Sequence, residues 1–263
     1  MMNIEESHFY CETLEHEQLH GAADIAFFSD VALTSGGPIL ELGCGIGRIS
    51  IPLAMSGVDV VGLDISLGLL ESFRRKIDSC PSDIRQRIRL LRADMRRFAL
   101  RERFRCIICS SNTLLLSGSD DDLAETIACA ATHLLDNGIA VFDVDSIDDD
   151  MEAALQEYSI AAVPDAVFTA PDGRILQRTH RLKLVPSQCG AVRVAVSYEY
   201  FTADGRKYAE RSEKLAFIRP DKLLSLVKNS GLNIIETYGW YDRRPFNRNE
   251  RKLLIVAGKR EHQ

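Results

Sequence analysis

Residues 38–47 read Pro38-Ile39-Leu40-Glu41-Leu42-Gly43-Cys44-Gly45-Ile46-Gly47, and Arg48-Ile49-Ser50-Ile51-Pro52-Leu53-Ala54 follows. An apolar segment runs into three glycines at alternating positions and then into residues suited to a helix opening. Strand, glycine turn and helix N-terminus in that order make a cradle where backbone N–H groups face a ligand. Glycine suits the turn because main chain can approach the ligand with no Cβ between them, and because some positions can take positive φ. Glu41 adds a carboxylate at the strand's end.

Working outward, strand-like runs at 39–42, 58–63, 88–91, 106–109 and 139–144 alternate with helical patterns at 49–55, 67–77 and 123–134. Asp136-Asn137-Gly138 is expected to close the last of those helices. Such alternation predicts an α/β fold with a parallel sheet covered on both faces, and ligand binding at the strands' carboxyl ends. Residues 1–35 read as helical. After the fifth strand the pattern changes: 174–184, 191–202 and 206–218 are extended runs separated by turn residues, which predicts consecutive antiparallel strands. Arg219-Pro220-Asp221 then opens a helix, and 234–238 and 253–257 read as a closing strand pair. The chain is expected to form one domain over 1–263. Within it, 1–35 is a helical cap, 36–165 a binding core, 166–218 an antiparallel insertion, and 219–263 a closing helix with strands.

Composition narrows the class. With 263 residues, 46% hydrophobic and 27% charged, the chain can bury a proper core. A net charge of −6 and a pI near 5.6 predict no general attraction to nucleic acid or to an anionic membrane. No apolar run reaches the length of a membrane span, and the acidic start is unlike a signal peptide, so a cytoplasmic location is expected. The seven cysteines form no framework and read as reduced thiols. Cys106-Ile107-Ile108-Cys109 spells C-x-x-C, but a strand turns positions three apart to opposite faces, which favours buried structural thiols. His16-Glu17-Gln18-Leu19-His20 matches the zinc-protease pattern H-E-x-x-H. The residues after it do not extend the pattern, and an exposed polar helix face is the plainer reading.

The glycine spacing discriminates between ligands. A dinucleotide fingerprint needs G-x-G-x-x-G, and position 48 is Arg. The E-x-G-x-G-x-G actually present resembles the first motif of class I S-adenosylmethionine-dependent methyltransferases, and the chain is similar to their small-molecule type over about 39–144. That resemblance implies a Rossmann-like, mostly parallel seven-stranded sheet with helices on both faces and an antiparallel β insertion after the fifth strand. It implies S-adenosyl-L-methionine as cofactor, held by the turn of Glu41, Gly43, Cys44, Gly45 and Gly47. Asp64, at the end of the second strand, is placed to accept hydrogen bonds from a ribose diol; the alternative role of helix cap is at least as well filled by Ser66. By the resemblance, Asp94 meets the adenine amino group, Met95 offers backbone to the ring, and Ile65 is an apolar wall. Ser110 and Ser111 stand near the methionine part.

The signature of methyltransferases acting on nucleobase amino groups is missing after the fourth strand, where Ser110-Ser111-Asn112-Thr113 carries no proline. A small-molecule acceptor is therefore expected, an amine ahead of a hydroxyl, without metal. An O-methyltransferase and a non-catalytic S-adenosylmethionine-binding regulator stay open as alternatives. Candidate acceptor-side groups are His180 as a base, Tyr10 on the N-terminal helix, and Tyr241 in the loop Gly239-Trp240-Tyr241-Asp242-Arg243-Arg244-Pro245-Phe246. In similar enzymes the insertion roofs the acceptor cleft or joins two subunits, so a homodimer also stays open.

Overall fold

The structure is a computed structural model that describes residues 22–147, 150, 152–153, 155, 162–169, 173–185, 192–248 and 250–259. Tyr10, His16 and His20 lie outside these residues. Among the described elements, helix α1 (Ala22–Ser35) leads into β1 (Ile39–Leu42), α2 (Ser50–Met55), β2 (Val60–Asp64), α3 (Leu67–Asp78), α4 (Ser82–Gln86) and β3 (Ile88–Arg92). Then come β4 (Phe104–Cys109), a single 3-10 turn (Thr113–Leu116), α5 (Asp120–His133) and β5 (Leu134–Asp145). Strands β6 (Val163–Thr169), β7 (Ile175–Val185), β8 (Val192–Thr202) and β9 (Lys207–Phe217) follow, and α6 (Pro220–Asn229), β10 (Leu232–Tyr238) and β11 (Lys252–Lys259) complete the order.

The main sheet has seven strands in the order β10-β11-β5-β4-β1-β2-β3. Pairings are parallel from β3 through β5, and β11 runs antiparallel to both of its neighbours. Strand β1 is flanked by β2 on one side and β4 on the other, so connections leave it in opposite directions. The crevice at that switch point is where a parallel α/β sheet receives a ligand. The glycine turn sits there.

Alternation along the strands explains why both faces are covered. Leu40, Leu42, Val61, Leu63, Ile107, Phe142 and Ile255 face one core, with Leu123, Ile127, Ala130, Leu223 and Val227 of α5 and α6 packed onto them. Ile39, Val60, Cys106, Ile108, Val141 and Leu254 face the other, beneath Phe27, Phe28 and Val31 of α1. Each fully buried side chain of this size contributes roughly 1.5–3 kcal/mol. The two cysteines of C-x-x-C fall on opposite faces, both wholly buried, and burial pushes the Cys106 thiol up to about 12. They are core residues.

Helix starts follow local capping. The Ser66 hydroxyl accepts the Leu69 N–H at 3.4 Å, so Ser66 caps α3 and Asp64 is left to the turn. Ser119 caps α5 through the Asp122 N–H at 3.0 Å, and Pro220 occupies the first turn of α6.

Three features differ from the sequence expectation. Strand β6 and the short helix α4 carry too little apolar periodicity to be read from the chain. Strand β5 begins at Leu134 rather than 139, with an irregularity in its pairing to β4 between Phe104 and Cys106. Asp136-Asn137-Gly138 is therefore part of that irregular strand start, and a Cβ on Gly138 would lie 2.8 Å from the Phe104 carbonyl. The insertion forms a separate antiparallel sheet, β6-β7-β8-β9, whose β9 packs against the 3-10 turn and whose Leu215 and Phe217 rest on the first core.

Candidate functional site

A cleft of about 370 Å³ opens at the carboxyl ends of β1, β2 and β3, lined by Gly43, Leu63, Asp64, Ile65, Ala93, Asp94, Met95, Arg96, Thr113, Leu116, Ser117 and Gly118. Gly43, Asp64, Ile65, Asp94 and Met95, read from the sequence as one ligand's contacts, thus share one cavity. Ile65 stays 63% exposed at its rim.

Gly43, Gly45 and Gly47 all have positive φ, at 68°, 53° and 89°. Their surroundings differ. A Cβ on Gly43 would meet Thr113 Cγ2 at 2.2 Å and one on Gly47 would meet Phe73 Cε2 at 2.1 Å, whereas a Cβ on Gly45 would meet nothing within 4 Å. Two glycines serve packing, and Gly45 alone faces open space. Cys44 turns inward against Leu70, Phe73 and Ile77, and its N–H donates to the Leu63 carbonyl at 3.0 Å. Its thiol is core, and Cys44 is not among the residues lining the cleft.

Asp64 is buried, yet both its oxygens are used: Oδ2 accepts the Gly45 N–H at 2.9 Å and Oδ1 accepts the Ser66 N–H at 2.8 Å. Burial pushes its carboxyl above the ordinary range, against the pull of those N–H groups. Asp94 is gripped by Arg96, whose Nη2 reaches Oδ2 at 2.6 Å and whose Nε reaches Oδ1 at 2.9 Å. The guanidinium beside it holds the Asp94 carboxyl below the usual range. Arg96 also reaches Asp122 Oδ1 of α5 at 2.7 Å.

Glu41 does not line the cleft. It lies buried beneath the turn, where the hydroxyls of Ser50 and Ser110 donate to its carboxylate, and burial pushes its carboxyl up to about 7 despite the Ser50 hydrogen bond and nearby Arg48. The Ser110 side chain is committed to this contact. Ser111 accepts Arg48 Nη2 at 2.6 Å, and Arg48 pairs with Asp24 of α1 at 2.5 Å. The residue that follows the glycine turn, the bend after β4 and helix α1 thus meet at one guanidinium.

The candidate acceptor-side groups are not gathered. Tyr10 is outside the described residues. His180 pairs in register with Val163 of β6 and Tyr198 of β8 and is not among the residues lining the cleft. Tyr241 packs beside Phe27 and Phe28 and donates its hydroxyl to Asp143 Oδ2 at 2.8 Å. Burial and the Asp143 charge push its phenol well above the ordinary range, so it serves as an anchor rather than a base. Sequence reading missed the wall from Thr113 to Gly118 and the clasp of Arg96. It also missed Asp143, although the alternation of Asp143-Val144-Asp145 at a strand end was a visible signal.

The open main chain at Gly45, flanked by an acid on β2 and an apolar rim, fits a nucleoside-bearing ligand. Residues 39–138 match the family model described as a methyltransferase domain. The provisionally named methyltransferase YqeM of Bacillus subtilis is 28% identical over 238 residues, covering 88% of this chain and 87% of its own. A cypemycin N-terminal methyltransferase of Streptomyces is 22% identical over 236 residues, covering 90% and 89%. A solved sugar N-methyltransferase from Streptoalloteichus shares the fold with a TM-score of 0.71 at 20% identity, over 95% of this chain and 92% of that one. Solved methyltransferases of the same fold include a complex with S-adenosylmethionine. Among the described residues no helix is long and apolar enough to cross a membrane. With the motif, the strand order and these matches in agreement, residues 39–138 form a methyltransferase domain, and the chain has the fold of S-adenosylmethionine-dependent methyltransferases.

Proposed function

We propose that the protein methylates a small-molecule acceptor, an amine in preference to a hydroxyl, without a metal. The observation that carries this reading is the single cleft shared by Gly43, Asp64, Ile65, Asp94 and Met95. In it, Asp64 takes the ribose and Ile65 and Met95 border the base with Asp94 at its edge; beside it, outside the lining residues, the Gly45 main chain faces the ligand and the Ser110–Ser111 main chain stands toward the methionine part. The cofactor half, expected over 36–165, then ends before β6 begins at Val163, and the insertion of β6 to β9 stands on the acceptor side.

Bound there, S-adenosylmethionine supplies a methyl group already activated by its sulfonium, so the chain's task is alignment and exclusion of water. A neutral amine attacks with its own lone pair and needs a proton acceptor only as the bond forms, whereas a hydroxyl needs a stronger base. The Tyr241 phenol, its proton held on Asp143, is a poor base, which favours the amine. The names of the Streptomyces and Streptoalloteichus proteins, an N-terminal and a sugar N-methyltransferase, point the same way.

Calorimetry with S-adenosylmethionine, followed by a screen of primary amines, amino sugars and phenols for release of S-adenosylhomocysteine, tests both parts. Uptake of the cofactor and turnover with an amine are expected. Turnover with phenols alone overturns the amine preference, and no uptake of S-adenosylmethionine overturns the whole reading.

A further inference from the structure

We propose that Lys252 is a positioning residue for the cofactor cleft: with Asp143 and Asp145 it holds the bend from which one cleft wall departs. The inference rests on the cleft being the cofactor site.

The bend is Ser111–Asn112, between β4 and the 3-10 turn. Both residues carry side chains and both are left-handed, with φ of 54° and 62°, a conformation such residues avoid unless surroundings impose it. The imposition comes from the end of β5. The Ser111 N–H donates to Asp143 Oδ2 at 2.9 Å and the Asn112 N–H to the Asp143 carbonyl at 3.2 Å. The Asn112 amide closes a reciprocal pair, with Nδ2 donating to Asp145 Oδ2 at 3.1 Å and Oδ1 accepting the Asp145 N–H at 2.6 Å.

Two carboxylates this close and this buried need a cation. Lys252, opposite Asp145 in the β5–β11 register, supplies it from a nearly buried position, with Nζ 2.9 Å from Asp143 Oδ1 and 2.7 Å from Asp145 Oδ1. Burial opposes its charge, but the two acids outweigh burial and hold the ammonium above its ordinary range. Asp143 itself is wholly buried. A buried ion pair of this kind is weak evidence for stability and better evidence for a fixed geometry.

What the geometry fixes lies next along the chain. Thr113 packs against Gly43, and Thr113, Leu116, Ser117 and Gly118 line the cleft. Releasing the bend therefore moves the wall that faces the glycine turn, although Lys252 is not among the residues lining the cleft.

The test is calorimetric titration of the wild type, Lys252→Met and Tyr241→Phe with S-adenosylhomocysteine, beside thermal melts. A purely structural role lowers the melting temperature and the number of competent sites but leaves the Kd per competent site unchanged. For a positioning role, Lys252→Met raises that Kd by about tenfold or more and Tyr241→Phe by about threefold. A folded Lys252→Met protein with a Kd within about twofold of wild type overturns the proposal. If Lys252→Met does not fold, Asn112→Ala, which removes the amide clasp without stranding a buried charge, takes its place with the same criterion. Failure of the wild type to bind overturns the cofactor reading instead, and shows before any variant is compared.

Discussion

The backbone N–H of Gly45 donates to the Asp64 carboxylate at 2.9 Å, tying the one glycine of the turn that faces open space to the end of the neighbouring strand. Turn and acid are thus a single unit. Asp64→Ala is expected to weaken S-adenosylmethionine binding by about 10–100-fold, the equivalent of losing hydrogen bonds to a charged acceptor. Calorimetry measures it; a circular dichroism spectrum like that of wild type shows that the chain still folds. Unchanged affinity removes Asp64 from the site.

The glycines separate packing from ligand approach. Gly47→Ala places a methyl about 2 Å from the Phe73 ring at a φ of 89°, and is expected to cost about 3 kcal/mol through overpacking and backbone strain. Gly45→Ala meets no atom within 4 Å and costs about 1 kcal/mol for its left-handed backbone. Urea unfolding should therefore show Gly47→Ala much the less stable, while calorimetry shows Gly45→Ala folded but impaired in cofactor binding. The reverse pattern contradicts these assignments.

Arg96 holds Asp94 by both oxygens and is itself held by Asp122. Arg96→Met frees the Asp94 carboxyl, which then returns toward its ordinary pKa from its lowered value. Affinity for S-adenosylhomocysteine is expected to fall by about tenfold, and the loss should deepen as pH drops toward 4, where the released acid protonates. A variant that binds like wild type across that range shows that Asp94 needs no clasp.

The strand, turn and helix around Gly43–Gly47 were legible because each is written locally, in an apolar run, a glycine cluster and a helix-forming stretch. Asp64 was legible for the same reason, standing directly at the end of a β-patterned segment. What the sequence did not carry was why each glycine is there, since Phe73 and Thr113 reach the turn from other elements. Lys252 was hidden too. A lysine beginning the apolar run Leu253–Ala257 reads as a solvated strand end, and only the pairing of β11 with β5 places it between Asp143 and Asp145. Tyr241 looked like a loop aromatic free to meet an acceptor, but its contact with Asp143 is long-range and no local pattern signals it.

Glu41 gives the fold a pH dependence whose sign is fixed by its burial. Its carboxyl stands at about 7 in the fold against an ordinary value of 4.5, so the folded chain holds the proton more tightly than the unfolded one. The stability tied to that proton is fully present below 4.5 and is lost as pH rises through about 7, a change of about 3 kcal/mol by linkage. Glu41→Gln keeps an acceptor for Ser50 and Ser110 without the titration. Urea unfolding at pH 5 and pH 8 should show the wild type losing about 3 kcal/mol more than the variant across that interval. Equal losses would mean that the buried carboxyl keeps its charge state throughout.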